Sequence, residues 1–184
     1  MRGVNLYLVG MMGAGKSTVG RLLAQQLNYR FVDTDDLIQK STGKTIPDIF
    51  ATEGEPAFRA IETAVLAQVS AYTHMAIATG GGIVTQRQNW SYLHHGIVVW
   101  LDVSAEQIYQ RLQGDTSRPL LQTEEPAATL QQLLDQRSPL YAQADLTVTI
   151  APDESPEQVA ARVLDGLKDV LKPQAAIAPE HNGN

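Results

Sequence analysis

The sequence predicts an α/β fold: three layers, α/β/α, around a five-stranded parallel sheet. Three observations carry that expectation. Short apolar runs alternate with segments whose apolar residues recur at helical spacing, the pattern of βα units joined by right-handed crossovers. No internal repeat or long linker interrupts the alternation. A chain of 184 residues also suits one compact domain, large enough to cover a sheet on both faces.

Strands are expected over Val4–Val9, Arg30–Val32, Met75–Thr79, Ile97–Leu101 and Leu146–Ile150. Between them the spacing predicts a helix carrying Val19, Leu22, Leu23 and Leu27, a short one near Asp36–Lys40, and a longer one through Phe58, Ile61, Val65 and Val69. Further helices are expected near Arg87–Leu93, Ser104–Gln113, Pro126–Tyr141 and Pro156–Leu171. Ser104 with Gln107 and Ser155 with Gln158 read as capping boxes, and Pro156 suits a first helical position. Two stretches break the pattern. Gly114 to Glu125 is polar, contains Pro119 and joins two helices, a length of loop that usually has a function. Pro173 to Asn184 has no periodicity and is expected to be a disordered tail.

Between the first strand and its helix stands Gly10-Met11-Met12-Gly13-Ala14-Gly15-Lys16-Ser17-Thr18, which fits G-x-x-x-x-G-K-[ST]. The glycines allow backbone N–H groups to turn toward phosphate oxygens, and the helix end adds positive potential. Lys16 would reach the β/γ-phosphates, and the Ser17 hydroxyl would ligate Mg²⁺. The chain is therefore expected to bind a nucleoside triphosphate.

Composition narrows the partners. A formal net charge of −6 argues against general binding to nucleic acid or an anionic membrane surface. No apolar run is long enough to span a bilayer, and a strand beginning at Val4 is expected to leave no room for a signal or transit peptide. Without cysteine there are no disulfides or thiolate metal sites, which fits a reducing compartment; the cytoplasm is expected. Between Lys44 and Lys168 every cation is an arginine, whose planar fork pairs with carboxylate or phosphate.

Several clusters could carry chemistry. The second strand runs into Asp33-Thr34-Asp35-Asp36; on an extended chain Asp33 and Asp35 would share a face while Thr34 points away. One carboxylate near Mg²⁺ and one near a hydroxyl suit phosphoryl transfer to an alcohol. Asp36 is expected to cap the following helix. Arg59 sits in the first turns of its helix, a poor place for a cation unless an anion opposes it, and Glu62 at i+3 could orient it. Gly80, Gly81 and Gly82 follow a buried strand and leave bare backbone for a ligand. Arg118 in the irregular loop could close over phosphate, with Arg111 on the helix before it. Arg137 lies in Arg137-Ser138-Pro139-Leu140-Tyr141, where Pro139 would kink or tighten the turn. Asp102 at the end of the fourth strand is set aside as a metal contact because it directly precedes the Ser104 region. The histidines lack ligand spacing, and Trp90, Tyr92 and Trp100 read as packing residues.

Taken together, the phosphate loop, Asp33-Thr34-Asp35, Phe58-Arg59 with Glu62, the glycine triplet, Arg118-Pro119-Leu120-Leu121 and Arg137 with Tyr141 resemble the shikimate kinases. These are small P-loop enzymes of the nucleoside-monophosphate-kinase type. The resemblance spans residues about 4 to 170. It implies a P-loop NTPase fold with strand order 2-3-1-4-5 and one kinase domain over 1–172. Within it, a separate helical, acceptor-binding region would lie near 34–61 and a lid near 112–125. The implied reaction moves the γ-phosphoryl of ATP to the 3-hydroxyl of shikimate. By resemblance, Asp35 holds the substrate hydroxyls and is the candidate proton acceptor, Arg59 and Arg137 clamp the carboxylate, and Gly80, Gly81 and Gly82 line the acceptor, with Gly81 donating its N–H. Gly13, Ala14, Gly15, Lys16, Ser17 and Thr18 hold the nucleotide, Arg118 is the lid arginine, Arg111 lies near the adenine, and Ser17 and Asp33 serve Mg²⁺. The expected partners are ATP and shikimate, with no nucleic acid or membrane, and the expected state is a monomer.

Overall fold

The computed structural model describes residues 3–113 and 125–171. Most of the expected lid, Arg118 included, and the tail from 173 onward lie outside the described residues. The strands are β1 (Leu6–Val9), β2 (Arg30–Asp33), β3 (Met75–Ala78), β4 (Ile97–Asp102) and β5 (Leu146–Thr149). They pair in parallel in the order β2-β3-β1-β4-β5. The helices are α1 (Lys16–Leu27), α2 (Thr34–Thr42), α3 (Ile46–Ser70), α4 (Arg87–Leu93), α5 (Ala105–Leu112), α6 (Pro126–Tyr141) and α7 (Pro156–Val170), with a short 3₁₀ turn at Ile83–Thr85.

β1, at the sheet's centre, has all four residues buried, so it reads as a continuous apolar run with no alternation. α1 and α7 cover one face of the sheet, with Val19, Leu23, Val163 and Leu167 in the same apolar core as the strands. A second, smaller cluster (Ile38, Ile49, Phe58 and Val65) joins α2 to α3. No helix among the described residues is long and apolar enough to cross a membrane.

Four local expectations need correction. Asp33, not Asp36, caps α2: its carboxylate accepts the Asp35 N–H at 3.0 Å, while Asp36 falls within the first turn. The helix therefore starts at Thr34, so Asp33 and Asp35 are not alternate residues of an extended strand. Thr34 does turn inward, where its hydroxyl accepts the Gly80 N–H at 3.1 Å. The long helix also begins earlier than its apolar stripe suggested. Residues 46–53 form a separate helical piece with a capping box at Thr45 and Asp48, and Gly54 (φ 81°, ψ 169°) breaks the path before it resumes. At Ser104 only half the expected box forms: the hydroxyl accepts the Gln107 N–H, but the Gln107 side chain donates to the Ile150 carbonyl. The box at Ser155 and Gln158 is complete.

Candidate active site

Three glycines shape the turn from β1 into α1. Gly10, Gly13 and Gly15 have φ of 138°, 73° and 92°, where side-chain-bearing residues are strained. A Cβ on Gly10 would also lie 2.5 Å from the Leu101 carbonyl oxygen. Gly15 caps α1 without a side chain, so the first N–H groups of the helix have no side-chain acceptor at that cap. Lys16 is buried and its Nζ donates to the Gly10 and Met11 carbonyls at 2.8 and 2.7 Å, which holds the ammonium inside the loop. From α5, Arg111 donates to the Gly13 carbonyl at 3.2 Å and brings a second cation to the same turn.

The carboxyl ends of β1, β2 and β3 meet beside this loop, where an open α/β sheet gathers its ligands. The Ser17 hydroxyl donates to Asp33 Oδ2 at 2.6 Å, so the residue after the loop lysine and the end of β2 already share a hydrogen bond. Asp33, Asp35, Arg59, Glu62, Gly80–Gly82 and Arg137 line one cavity of about 590 Å³, with Ile46, Phe50 and Phe58 as apolar wall. A pocket of this size and mixed lining suits a small polar molecule.

Arg59 enters because the chain restarts its helix after Gly54, with Pro56 in the new first turn. Its Nη1 donates to Glu62 Oε2 at 2.8 Å, and its Nε and Nη2 donate to Glu55 Oε1 at 3.2 and 3.0 Å. Glu62 is fully buried, and its second oxygen has no hydrogen-bond partner among the described residues. Burial pushes the Glu62 carboxyl above the usual carboxylate range; Arg59 opposes that rise, Asp35 adds to it, and Arg137 opposes it. Burial disfavours the Arg59 cation, but Glu62 and Glu55 outweigh it and hold the guanidinium charged.

The glycine triplet is needed for room. None of Gly80, Gly81 and Gly82 occupies the left-handed region. A Cβ on Gly80 would lie 2.5 Å from Glu62 Oε1 and 3.0 Å from Asp35 Oδ1, and one on Gly82 would fall onto the Arg59 guanidinium. Bare backbone is thus required by the ion pair packed on it as well as by any ligand. The Gly80 N–H goes to Thr34, whereas those of Gly81 and Gly82 donate to no group among the described residues.

Arg137 comes from α6, four residues before the helix ends at Tyr141, with Pro139 inside the last turn. It is buried, approaches the Met11 sulfur at 4.0 Å and hydrogen-bonds the Tyr141 hydroxyl. Among the described residues no carboxylate pairs with it. A buried guanidinium with no carboxylate carries a desolvation cost that an incoming anion would offset. The cavity thus holds two arginines: one oriented by two glutamates and one available to an anion.

Residues that the sequence left aside also have positions. Asp102 accepts from Thr149 Oγ1 at 3.0 Å and does not line the cavity. Trp90 donates to the Val84 carbonyl, and Trp100 stacks on Tyr141 with centroids 5.7 Å apart. No group of three or more His, Cys, Asp or Glu suited to a metal occurs among the described residues. Sequence reasoning missed Glu55, four residues before Arg59, although that spacing alone puts the two on one helix face. It also missed the Tyr141 hydroxyl, which donates to the Gly81 carbonyl at 2.5 Å across 60 residues of chain, a contact no local pattern announces.

Residues 12–168 match the family model described as shikimate kinase. The chain belongs to the shikimate kinase family. The shikimate kinase of Trichormus variabilis is 56% identical over 176 residues, covering 96% of this chain and 97% of that one. The shikimate kinase of Nostoc punctiforme is 57% identical over the same length and coverage. Among solved structures, a shikimate kinase from Acinetobacter baumannii in complex with shikimate superposes with a TM-score of 0.90 at 42% identity, covering 94% of this chain and 97% of that one. The Aquifex aeolicus shikimate kinase gives 0.77 at 34% identity, covering 92% and 99%. A gluconokinase from Sinorhizobium meliloti, 16% identical with a TM-score of 0.53, shares the fold alone. Membership of the shikimate kinase family makes this chain a P-loop kinase with the sheet order described above.

Proposed function

We propose that the chain transfers the γ-phosphoryl of ATP to the 3-hydroxyl of shikimate, giving shikimate 3-phosphate and ADP on the route to chorismate and the aromatic amino acids. The observation that carries this reading is the cavity beside the phosphate loop, where Arg59 and Arg137 are both buried and Arg137 has no carboxylate partner among the described residues. Shikimate brings one carboxylate and several hydroxyls, the complement of two guanidinium groups and Asp35.

In this reading Arg59 and Arg137 clamp the carboxylate, and the Gly81 N–H donates to the ring substituents at the glycine triplet. Asp35 accepts hydrogen bonds from the hydroxyls and takes the proton of the 3-hydroxyl as its oxygen bonds to the γ-phosphorus. The bond between that phosphorus and the β–γ bridging oxygen breaks, and ADP leaves. Residues 13–18 hold the phosphates through N–H groups, and Lys16 swings from the loop carbonyls onto the β/γ-phosphates. Arg111 borders the nucleotide, and Arg118 on the lid meets the phosphates.

Ser17 Oγ and Asp33 Oδ2 offer hard oxygen donors side by side at 2.6 Å, a set that suits Mg²⁺. Ser17 would bind the ion directly and Asp33 through water; when bound, the ion neutralises charge on the phosphates. We propose one kinase domain over 1–172 with acceptor region 34–61 and lid 112–125, acting as a cytoplasmic monomer on small molecules, without nucleic acid or membrane. ADP release is measured with ATP, Mg²⁺ and shikimate, gluconate or a nucleoside monophosphate. Turnover with shikimate alone is expected; turnover with another acceptor and none with shikimate overturns the reading.

A further inference from the structure

We infer that Tyr141 is a positioning residue for the acceptor: its hydroxyl fixes the Gly81–Gly82 peptide, and its ring fixes the helix turn that carries Arg137. The inference rests on the proposed roles of the glycine triplet and Arg137. Tyr141 is fully buried and lies one helical turn beyond Arg137, so the two share a face of α6. Its ring stacks on Trp100 with centroids 5.7 Å apart and planes at 29°, which ties that face of the helix to β4.

The hydroxyl donates to the Gly81 carbonyl oxygen at 2.5 Å. That carbonyl belongs to the same amide as the Gly82 N–H, so the bond fixes the plane of the peptide and strengthens its N–H as a donor. The neighbouring amide is treated alike: the Gly80 carbonyl accepts the Ile83 N–H at 3.2 Å while the Gly81 N–H stays available. The same hydroxyl lies 3.6 Å from the Met11 sulfur, which the Arg137 guanidinium approaches at 4.0 Å. One phenol therefore links the glycine triplet, the phosphate loop and the clamp arginine. Burial pushes its pKa up to about 12 against the opposing Arg137 charge, so it remains a donor at any pH where the enzyme is assayed.

Tyr141→Phe keeps the ring and removes the hydroxyl. In steady-state assays of the full chain, KM for shikimate is expected to rise about three- to tenfold, the value of one hydrogen bond, with kcat and KM for ATP within about twofold. A merely structural role would reduce the folded fraction, which lowers apparent kcat and leaves both KM values in place; that outcome overturns the inference. An equal rise in both KM values also overturns it. Arg137→Ala is assayed alongside. If that variant loses shikimate affinity and Tyr141→Phe does not, the inference alone fails; if neither loses it, the acceptor reading fails as well.

Discussion

Arg59 and Glu62 form an ion pair on α3, Nη1 to Oε2 at 2.8 Å, and the glutamate has no exposure to solvent. Glu55 completes the arrangement from the other edge of the guanidinium, at 3.0 Å and in contact with water. The buried partner sets the arginine's position. Removing it leaves a buried cation with only the exposed Glu55 as partner, so Glu62→Ala should cost about 3–5 kcal/mol of stability, read from denaturant midpoints. Glu55→Ala removes a solvent-exposed carboxylate and should cost under about 1 kcal/mol in the same experiment.

The same pair makes a pH prediction. Burial raises the Glu62 pKa in the folded chain, so between the unfolded value of about 4.3 and the higher folded value the native state binds more protons. Stability from this group is therefore greatest below that window and falls as pH rises through it. Glu62→Gln lacks the titration. The stability difference between wild type and Glu62→Gln should shift against wild type with rising pH across the window, measured by urea unfolding at stepped pH. A constant difference would contradict the assignment.

Room at the glycine triplet is directly testable. Gly82→Ala places a methyl on the Arg59 guanidinium and Gly80→Ala places one on Glu62, and neither neighbour can retreat without breaking the pair. Each should lose about 1–3 kcal/mol of stability, as overpacking does, and weaken shikimate binding while leaving ATP binding in place. Isothermal titration with each ligand separates the two effects.

How much of this was legible in the sequence follows from the range of each interaction. The phosphate loop and the strand positions rest on local spacing, and the structure has them within a residue or two at each end. The helical piece at 46–53 follows from the family resemblance, which implies a helical region near 34–61, but the spacing reading missed it although Thr45, Asp48, Ile46, Ile49 and Phe50 carry both a capping box and an apolar face. Gly54 and Pro56 end the piece after two turns, too short a run for its apolar spacing to stand out beside the stripe that follows. The cap of α2 was misplaced because any of three aspartates within four residues could serve; only the point where β2 stops pairing with β3 decides for Asp33. The reason for three glycines was beyond any local reading, since it depends on Arg59 and Glu62 arriving from another element.

Asp33→Asn preserves a capping side chain but loses the charge beside Ser17. If Asp33 steadies Mg²⁺ through water, the half-saturating Mg²⁺ concentration should rise about 10- to 100-fold. A chelator should abolish ADP formation in wild type, and excess Mg²⁺ should restore it. An unchanged Mg²⁺ requirement in the variant would remove Asp33 from that role.

Arg118→Ala should act on turnover. As a cation on the transferred phosphoryl group it is expected to supply about 10²–10³-fold in kcat, with little change in KM for shikimate. Single-turnover measurements distinguish this from slower product release.

The central claim is that Arg59 and Arg137 select a small carboxylic acid beside the phosphate loop. Its most direct test is calorimetric titration of shikimate into wild type and Arg137→Ala. A loss of about 2–5 kcal/mol in binding free energy is expected, because the substrate carboxylate keeps its desolvation cost and loses its partner. Equal affinities in the two proteins would contradict the account.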